Sequence, residues 1–448
     1  MSNIQTYSSR SVPRYTSYPT APHFSDAVDA KTYTAELAAL DPEAPVSLYL
    51  HVPFCRELCW YCGCNMKLAT REAPIASYAR TLEREIALLA DHLPARLKIS
   101  HLHWGGGTPT ALVPDDLQRV MEKVAVHFDI LPDAELAIES DPRTLSDDMI
   151  ARIGALGFTR ASFGVQEFDP KVQKAINRVQ PPAMVARAVD GLRAAGVTGI
   201  NFDLIYGLPH QTVETLLETI RLCGEMAPDR IALFGYAHVP WAAKKQRLID
   251  EAALPGADER LRQAEASAQA LEAAGYLALG LDHFALPDDP LAQAARKGVL
   301  RRNFQGYTTD QAETMLGVGS TSIGRTPAAY VQNISETGAW ARAVEAGTLP
   351  IGRGCALDAD DRLRGAVIEK LMCQGRVDLG AISAEHGAPP KWYAYLEPAL
   401  AELQRDGLVT FENHVLRATG VGLPLIRVIA SVFDAYLESG IARHAVAV

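Results

Sequence analysis

The sequence predicts an α/β protein: a partial, TIM-like (β/α)6-type barrel, preceded by an N-terminal arm and followed by a small, mainly α-helical C-terminal domain. Three observations carry that reading. Strand-like and helix-like runs alternate from residue 46 to about residue 285. The character of the chain changes after "GTLPIGRG", Gly347–Gly354. Of 448 residues, 48% are apolar and 21% charged, which is ample material for a large core.

The arm runs to about residue 40. Its "PRYTSYPT" (Pro13–Thr20) mixes Pro, Tyr and Thr without a helical period, and reads either as a surface strap or as a segment that covers a site. Apolar runs at Val46–Leu50, Ile99–Trp104, Glu135–Glu139, Arg160–Val165, Gly199–Tyr206, Arg230–Tyr236 and Tyr276–His283 are strand candidates. Helical patterns lie between them at Ile75–Leu89, Pro114–Phe128, Ser146–Leu156, Ala183–Ala195, Val213–Met226 and Asp258–Ala274. Parallel βα units in this number close into a complete or partial barrel, with chemistry on the loops at the carboxyl ends of the strands. Further helical patterns at Asp358–Met372, Lys391–Asp406 and Leu423–Glu438, with a hairpin-like "LVTFENHVL" (Leu408–Leu416), suggest a winged-helix-like domain. The expected division is an arm over 1–40 that covers the site, a barrel with its substrate loops over 41–345, and a lid domain over 346–448.

Charge excludes one class of partner. The net charge is −10 and no basic stripe is present, so nucleic acid is not expected despite the winged-helix pattern. The segment Met1–Pro22 is too polar for a secretory signal, and no stretch approaches the roughly 20 apolar residues that span a bilayer. A cytoplasmic protein without membrane contact is expected. Nothing demands a partner subunit, so a monomer is expected.

Cysteine usage agrees with a reducing compartment. Of seven cysteines, Cys223, Cys355 and Cys373 are scattered, and four crowd into Cys55-x3-Cys59-x2-Cys62-x-Cys64. An odd, lopsided count is no disulfide framework. Three thiolates at x3 and x2 spacing on one loop can wrap one face of an iron–sulfur cubane. Three ligands for four irons leave one iron open, and an open iron can chelate the amino and carboxylate groups of methionine. Structural zinc usually takes four ligands in two pairs, and no second pair follows. A redox pair Cys59-x2-Cys62 is formally present, but Trp60, Tyr61 and the extra cysteines argue against it. Cys64 points away from a face that the other three fill, and reads as a lining residue.

The x3-x2 spacing with aromatic Tyr61 before the third cysteine resembles the radical S-adenosylmethionine (SAM) superfamily. Around it, "LYLHVPFCRELCWYCGCNM" (Leu48–Met66) resembles the oxygen-independent coproporphyrinogen III oxidases of haem synthesis. The likeness continues through "PRYTSYPT", "HWGGGTPT", "FGVQEF", "NFDLIYGLP", "YAHVP" and "NFQGYTTD", over nearly the whole chain. It implies a radical SAM barrel, a [4Fe-4S] cluster on Cys55, Cys59 and Cys62, and two SAM molecules. It implies that Tyr49, Gly106, Glu139 and Ile323 serve the cluster-bound SAM. Tyr61, Gly107, Thr108, Gln166, Arg178, Asp203 and Ala237 would serve the second. Tyr61 stands where Phe is common in the motif, and an aromatic stack survives that change.

Taken without the resemblance, these residues read more plainly. Gly105-Gly106-Gly107 is a tight βα turn that permits positive φ and close backbone approach. Glu139 is a solvated strand-end carboxylate, and Arg178 a surface ion-pair partner. Asp203 amid apolar neighbours is costly to bury without a ligand or counter-ion. Tyr49, Tyr61, Ala237 and Ile323 read as core.

The activity implied is oxidative decarboxylation of two propionates of coproporphyrinogen III to vinyl groups, giving protoporphyrinogen IX. A 5′-deoxyadenosyl radical would take hydrogen from the propionate β-carbon. A porphyrinogen substrate and an electron donor of flavodoxin or ferredoxin type are the implied partners. Arg301 and Arg302 in "RRNFQGYTTD" could receive propionates. Three other readings compete: a radical methyltransferase acting on haem or another aromatic ring, a non-enzymatic haem-binding chaperone, and a nucleic-acid-binding regulator.

Overall fold

A computed structural model describes residue 7 and residues 10–437 of the chain. Most of the segment Met1–Pro22 lies within these bounds, but residues 1–6, 8 and 9 do not, and neither does Glu438 at the end of the last expected helix.

Six parallel strands stand next to one another in chain order: β1 (Val46–Val52), β2 (Lys98–Gly106), β3 (Asp129–Ser140), β4 (Arg160–Gln166), β5 (Gly199–Tyr206) and β6 (Arg230–Gly235). Tyr49 pairs with His103, Glu139 with Ser162, and Gly164 with Asp203. The strands read as near-continuous apolar runs because both faces are buried; Leu48, Leu50 and Val52 on β1 are at most 1% exposed. Six of the seven runs found in the sequence are these strands, with ends moved by up to six residues.

The intervening helices start where local chemistry tells them to. Glu72–Ala90 (α1) buries Ile75, Tyr78, Ala79, Leu82, Ile86 and Leu89, an i, i+3, i+4 stripe facing the sheet. Pro114–His127 (α2) opens on Pro114 with Asp115 and Asp116 in its first turn. Asp147–Ala155 (α3) is capped by the Ser146 side chain, and Val213–Glu225 (α4) by a Thr212–Thr215 capping box.

On the other side of β1 the sheet continues through residues that carry no strand pattern. Met315–Val318 pairs parallel to β1, and Ile323–Arg325, Ala329–Asn333 and Ile351–Ala356 follow antiparallel. These strands are short and broken by glycines, which hides their period. Gly317 and Gly324 are required there: a Cβ on Gly317 would stand 3.0 Å from the Ile323 backbone.

The chain divides by its contacts into two compact units, and the division does not follow chain order. One unit takes Ser25–Tyr276 and Ala312–Ala356; the other takes residues up to Phe24, Leu277–Gln311 and residues from Leu357 onward. The second unit packs Leu363, Val367, Leu371, Leu400, Leu416, Ile429 and Phe433 around a core that also takes Tyr7, Tyr15 and Tyr18. The tyrosines of "PRYTSYPT" are thus core residues of that unit: Tyr15 donates to Asp434 at 2.9 Å, and the Tyr18 hydroxyl accepts from the Ala435 amide at 2.9 Å. Its helices Ala359–Gln374, Leu379–Glu385 and Glu397–Arg405 precede a hairpin, Val409–Glu412 and Val415–Ala418. The expected helix Leu423–Glu438 is shorter, Ile426–Ser431, after a 3-10 turn. The run Tyr276–His283 is two antiparallel strands, Leu277–Leu279 and His283–Ala285, broken near Gly280, whose φ is +59°.

One buried acid braces the barrel unit. Glu85 on α1 accepts from the Gly319 amide at 2.7 Å, from Trp340 at 3.0 Å and from Asn333. Tyr78, two helical turns earlier, accepts from the Ser320 amide and donates to the His51 carbonyl at the end of β1. Burial raises the Glu85 carboxyl to about 7 against its hydrogen bonds. An unfolded Glu titrates near about 4.3, so the neutral form favours the fold. That contribution is full below about pH 4, and is lost as pH rises through about 7. Glu85→Gln, uncharged throughout, should flatten the pH dependence of Tm between about pH 5 and 8, read by calorimetry.

Candidate active site

The cysteine loop leaves the carboxyl end of β1. Cys55, Cys59, Cys62 and Cys64 are all free thiols. Each of the first three has its own donor. The Thr108 hydroxyl reaches Cys55 Sγ at 3.5 Å; Arg143 and Arg178 each reach Cys59 Sγ at 3.3 Å; the Cys64 amide reaches Cys62 Sγ at 3.4 Å. Burial pushes the Cys55 thiol up to about 11, whereas the hydrogen bond from Cys64, aided by the Lys245 charge, holds Cys62 at about 6. Cys64 is exposed.

Among the described residues no three His, Cys, Asp or Glu side chains gather around one point as a single-ion site does. A cubane asks for something wider, one thiolate at each of several iron corners. Soft thiolates that accept N–H and O–H bonds are the donor set an iron–sulfur cluster takes. The residues present fit that group.

The glycine turn follows β2 and lies against the same loop. Gly106 has φ +119°, and a Cβ there would meet the His51 ring at 2.6 Å. A Cβ on Gly107 would meet the Pro53 and Phe54 backbone at 2.8 Å. Glu139, at the end of β3, accepts from the Gly106 amide at 3.0 Å and lies 3.2 Å from His103 Nε2. Tyr49 on β1 stacks on His103, and its hydroxyl lies 3.0 Å from His51 Nδ1. His51 Nε2 is buried and finds no hydrogen-bond partner among the described residues. Tyr49, Gly106, Glu139, His51 and His103 therefore form one group. Ile323 lies on the strand beyond Met315–Val318, whose Gly317 pairs with Tyr49.

A second group is built on charge. Arg178, 6% exposed, donates to the Gly164 carbonyl at 3.0 Å, to Cys59 and to Asp141 at 3.4 Å. Asp141 also holds Arg143, at 2.6 Å, and Arg143 reaches Glu57 at 2.6 Å. Burial alone would raise the Asp141 carboxyl; Arg178 and Arg143 overcome it and hold it below the usual range. Gln166, with φ +66°, is buried with Oε1 unpartnered. Two buried polar atoms without partners among the described residues, Gln166 Oε1 and His51 Nε2, mark unsatisfied polar positions. Gln246 ties two further residues together, donating to the carbonyls of Tyr61 at 2.7 Å and Ala237 at 3.1 Å. Tyr61 packs against a cluster of Val172, Ile176, Leu208, Tyr236 and Ile249. Asp203 lies half-buried on β5, beside Gly164.

Sequence reasoning missed His51, His103, Asp141, Arg143 and Gln246. The signal for the first two was present, since both alternate with apolar residues on strands aimed at the loop. Arg178 read as a surface ion pair and is buried. A cavity of about 520 Å³ opens beside Phe54, Lys67, Tyr78 and Trp340, and none of the candidate site residues lines it.

Residues 49–223 match the Radical SAM superfamily, and residues 357–425 match the HemN C-terminal domain. A protein of Bradyrhizobium diazoefficiens named oxygen-independent coproporphyrinogen III oxidase is 50% identical over 443 residues, 99% of this chain and 98% of that one. The Cereibacter sphaeroides protein named coproporphyrinogen III oxidase, anaerobic 1, is 43% identical over 433 residues, 97% of this chain and 96% of that one. The solved structure of coproporphyrinogen III oxidase from Escherichia coli, described as a radical SAM enzyme, superposes with a TM-score of 0.91 at 39% identity, covering 96% of this chain and 100% of that one.

Proposed function

The chain belongs to the oxygen-independent coproporphyrinogen III oxidase family of radical SAM enzymes, and on that footing we propose how its own residues serve the reaction. The reaction is oxidative decarboxylation of two propionates of coproporphyrinogen III to vinyl groups, giving protoporphyrinogen IX. Family membership favours this over the radical methyltransferase and the haem-binding chaperone. The observation that carries the residue assignment is that three thiols on the loop after β1 each have a hydrogen-bond donor of their own.

Cys55, Cys59 and Cys62 would hold the cluster. When bound, cluster and SAM together supply a 5′-deoxyadenosyl radical that takes hydrogen from the substrate. The chain's part is position. Gly106 and Glu139 offer an amide–carboxylate pair suited to an amino acid's charged end, and Tyr49 and Ile323 are assigned to the same SAM. Tyr61, Gly107, Thr108, Gln166, Arg178, Asp203 and Ala237 are assigned to a second SAM. Unpartnered Gln166 Oε1 and buried Arg178 support that assignment. Arg143 and Arg178 each donate to Cys59 Sγ and put positive charge against it.

The electron donor of flavodoxin or ferredoxin type, the monomeric state, the cytoplasmic location and the covering role of residues 1–40 and 346–448 belong to the same proposal. No helix among the described residues is long and apolar enough to cross a membrane. Proteolysis with and without substrate reads the covering role: unchanged cleavage of both segments counts against it.

The test of the function is anaerobic reconstitution with iron and sulfide, then turnover with reductant, SAM and coproporphyrinogen III. Deoxyadenosine and a divinyl product are expected. Deoxyadenosine without vinyl product would sink the substrate, and gain of methyl mass would favour the methyltransferase.

A further inference from the structure

The unit containing the C-terminal helices carries a group of cations that the radical chemistry does not use. Arg302 lies on the hairpin of Arg301–Asn303 with Gly306–Thr308. It is 8% exposed, and its guanidinium sits 4.4 Å above the Tyr307 ring. Nη2 donates to the Arg14 carbonyl at 3.4 Å. Nε and Nη1 are buried and donate to nothing among the described residues. Neighbouring Arg301 differs, being paired to Glu369 at 2.7 Å.

Two more guanidiniums share the place. Arg427, 4% exposed, donates to the carbonyls of Pro13 at 3.0 Å and Val12. Arg14 stands 4.0 Å from Asp282. Burial and the charges of Arg14 and Arg302 push Arg427 down to about 10. Asp282 is the acid facing these three, and it is shared with His283 at 2.8 Å. Glu369 accepts from the Arg302 backbone amide at 3.1 Å and leaves the guanidinium's two idle donors unfilled, so the buried cation is incompletely hydrogen-bonded. A carboxylate completes it, accepting two parallel N–H bonds in the plane of the fork.

We propose that Arg302, backed by Arg14 and Arg427, is a receptor for a propionate carboxylate of the tetrapyrrole substrate. The proposal rests on the function given above for its choice of carboxylate. Tyr307 fixes the plane of the guanidinium, and Arg427 and Arg14 supply the charge that favours an anion over water.

The test titrates coproporphyrin III, the oxidised and unreactive form of the substrate, into the reconstituted enzyme and follows tryptophan fluorescence. Arg302→Gln should weaken binding about ten- to a hundredfold, the loss of a charge-assisted pair. Arg302→Lys, which keeps charge and loses the fork, should fall between. The tetramethyl ester should bind both proteins equally and weakly. KM for coproporphyrinogen III should rise with the Kd, while deoxyadenosine formed without substrate stays at the wild-type rate. Wild-type affinity in both variants overturns the proposal, as does an equal loss for acid and ester. Propionate alone is the probe for a free anion: if it binds tightly and porphyrin affinity ignores Arg302, the site takes small anions and not substrate. Should Arg302→Gln fail to fold, the lysine variant decides by the same titration. Vinyl product from the wild type keeps the functional reading intact whichever way the arginine result falls.

Discussion

Cys55→Ser, Cys59→Ser and Cys62→Ser should each abolish the iron–sulfur absorbance and reduce turnover to background, whereas Cys64→Ser should retain wild-type iron and sulfide. Serine offers a hard, protonated oxygen where iron–sulfur clusters take soft thiolate. The donors to sulfur make the three positions unequal in a way that can be read. Cys59 is buried and faces two guanidiniums, so its loss also leaves Arg143 and Arg178 short of a partner. Cys55 is held high by burial, so cluster assembly there must release a proton. Cys64 contributes its amide to Cys62 Sγ, and the serine variant keeps that amide. Iron and sulfide per chain, with absorbance and turnover on the same samples, check all four variants. Lost iron in Cys64→Ser would show that the ligand set is wrong.

Gly106→Ala should cost about 2–5 kcal/mol of stability, the sum of a backbone that only glycine adopts readily and an overpacked contact. The added methyl meets the His51 ring at 2.6 Å, with φ at +119°. His51 cannot step aside freely: its Nδ1 is tied to Tyr49 and its carbonyl to Tyr78. The turn must shift instead, taking the Gly106 amide off Glu139 and weakening SAM binding. Gly63→Ala, on the adjoining cysteine loop, is the control, since nothing lies within 4 Å of a Cβ there. Its effect should stay within about 0.5 kcal/mol. Denaturant unfolding and equilibrium dialysis of SAM separate the two variants. Equal stability in both would mean that the turn is not held as described.

What the sequence shows and what it hides divide by range. The cysteine motif is local, so spacing alone carries it. Strands β1 to β6 are buried on both faces and announce themselves as apolar runs. The strands from Met315 to Ala356 are short, and Gly317, Gly324 and Gly354 sit where backbones pass too closely for a side chain. Those glycines make a sheet and erase its pattern. The site divides likewise. Glu139 and Gln166 are visible as polar residues at strand ends. Asp141 and Arg143 look like an ordinary turn in "ESDPR", and only folding brings them to Cys59 and Arg178. The tyrosines of "PRYTSYPT" have no helical or strand period because they fill a core built from residues more than three hundred positions away.

Hydrogen transfer tests the central claim most directly. Coproporphyrinogen III deuterated at the propionate β-carbons is turned over anaerobically, and the 5′-deoxyadenosine is weighed by mass spectrometry. The account predicts deuterium in the deoxyadenosine, in step with vinyl product. Deoxyadenosine free of deuterium, alongside vinyl product, would contradict it.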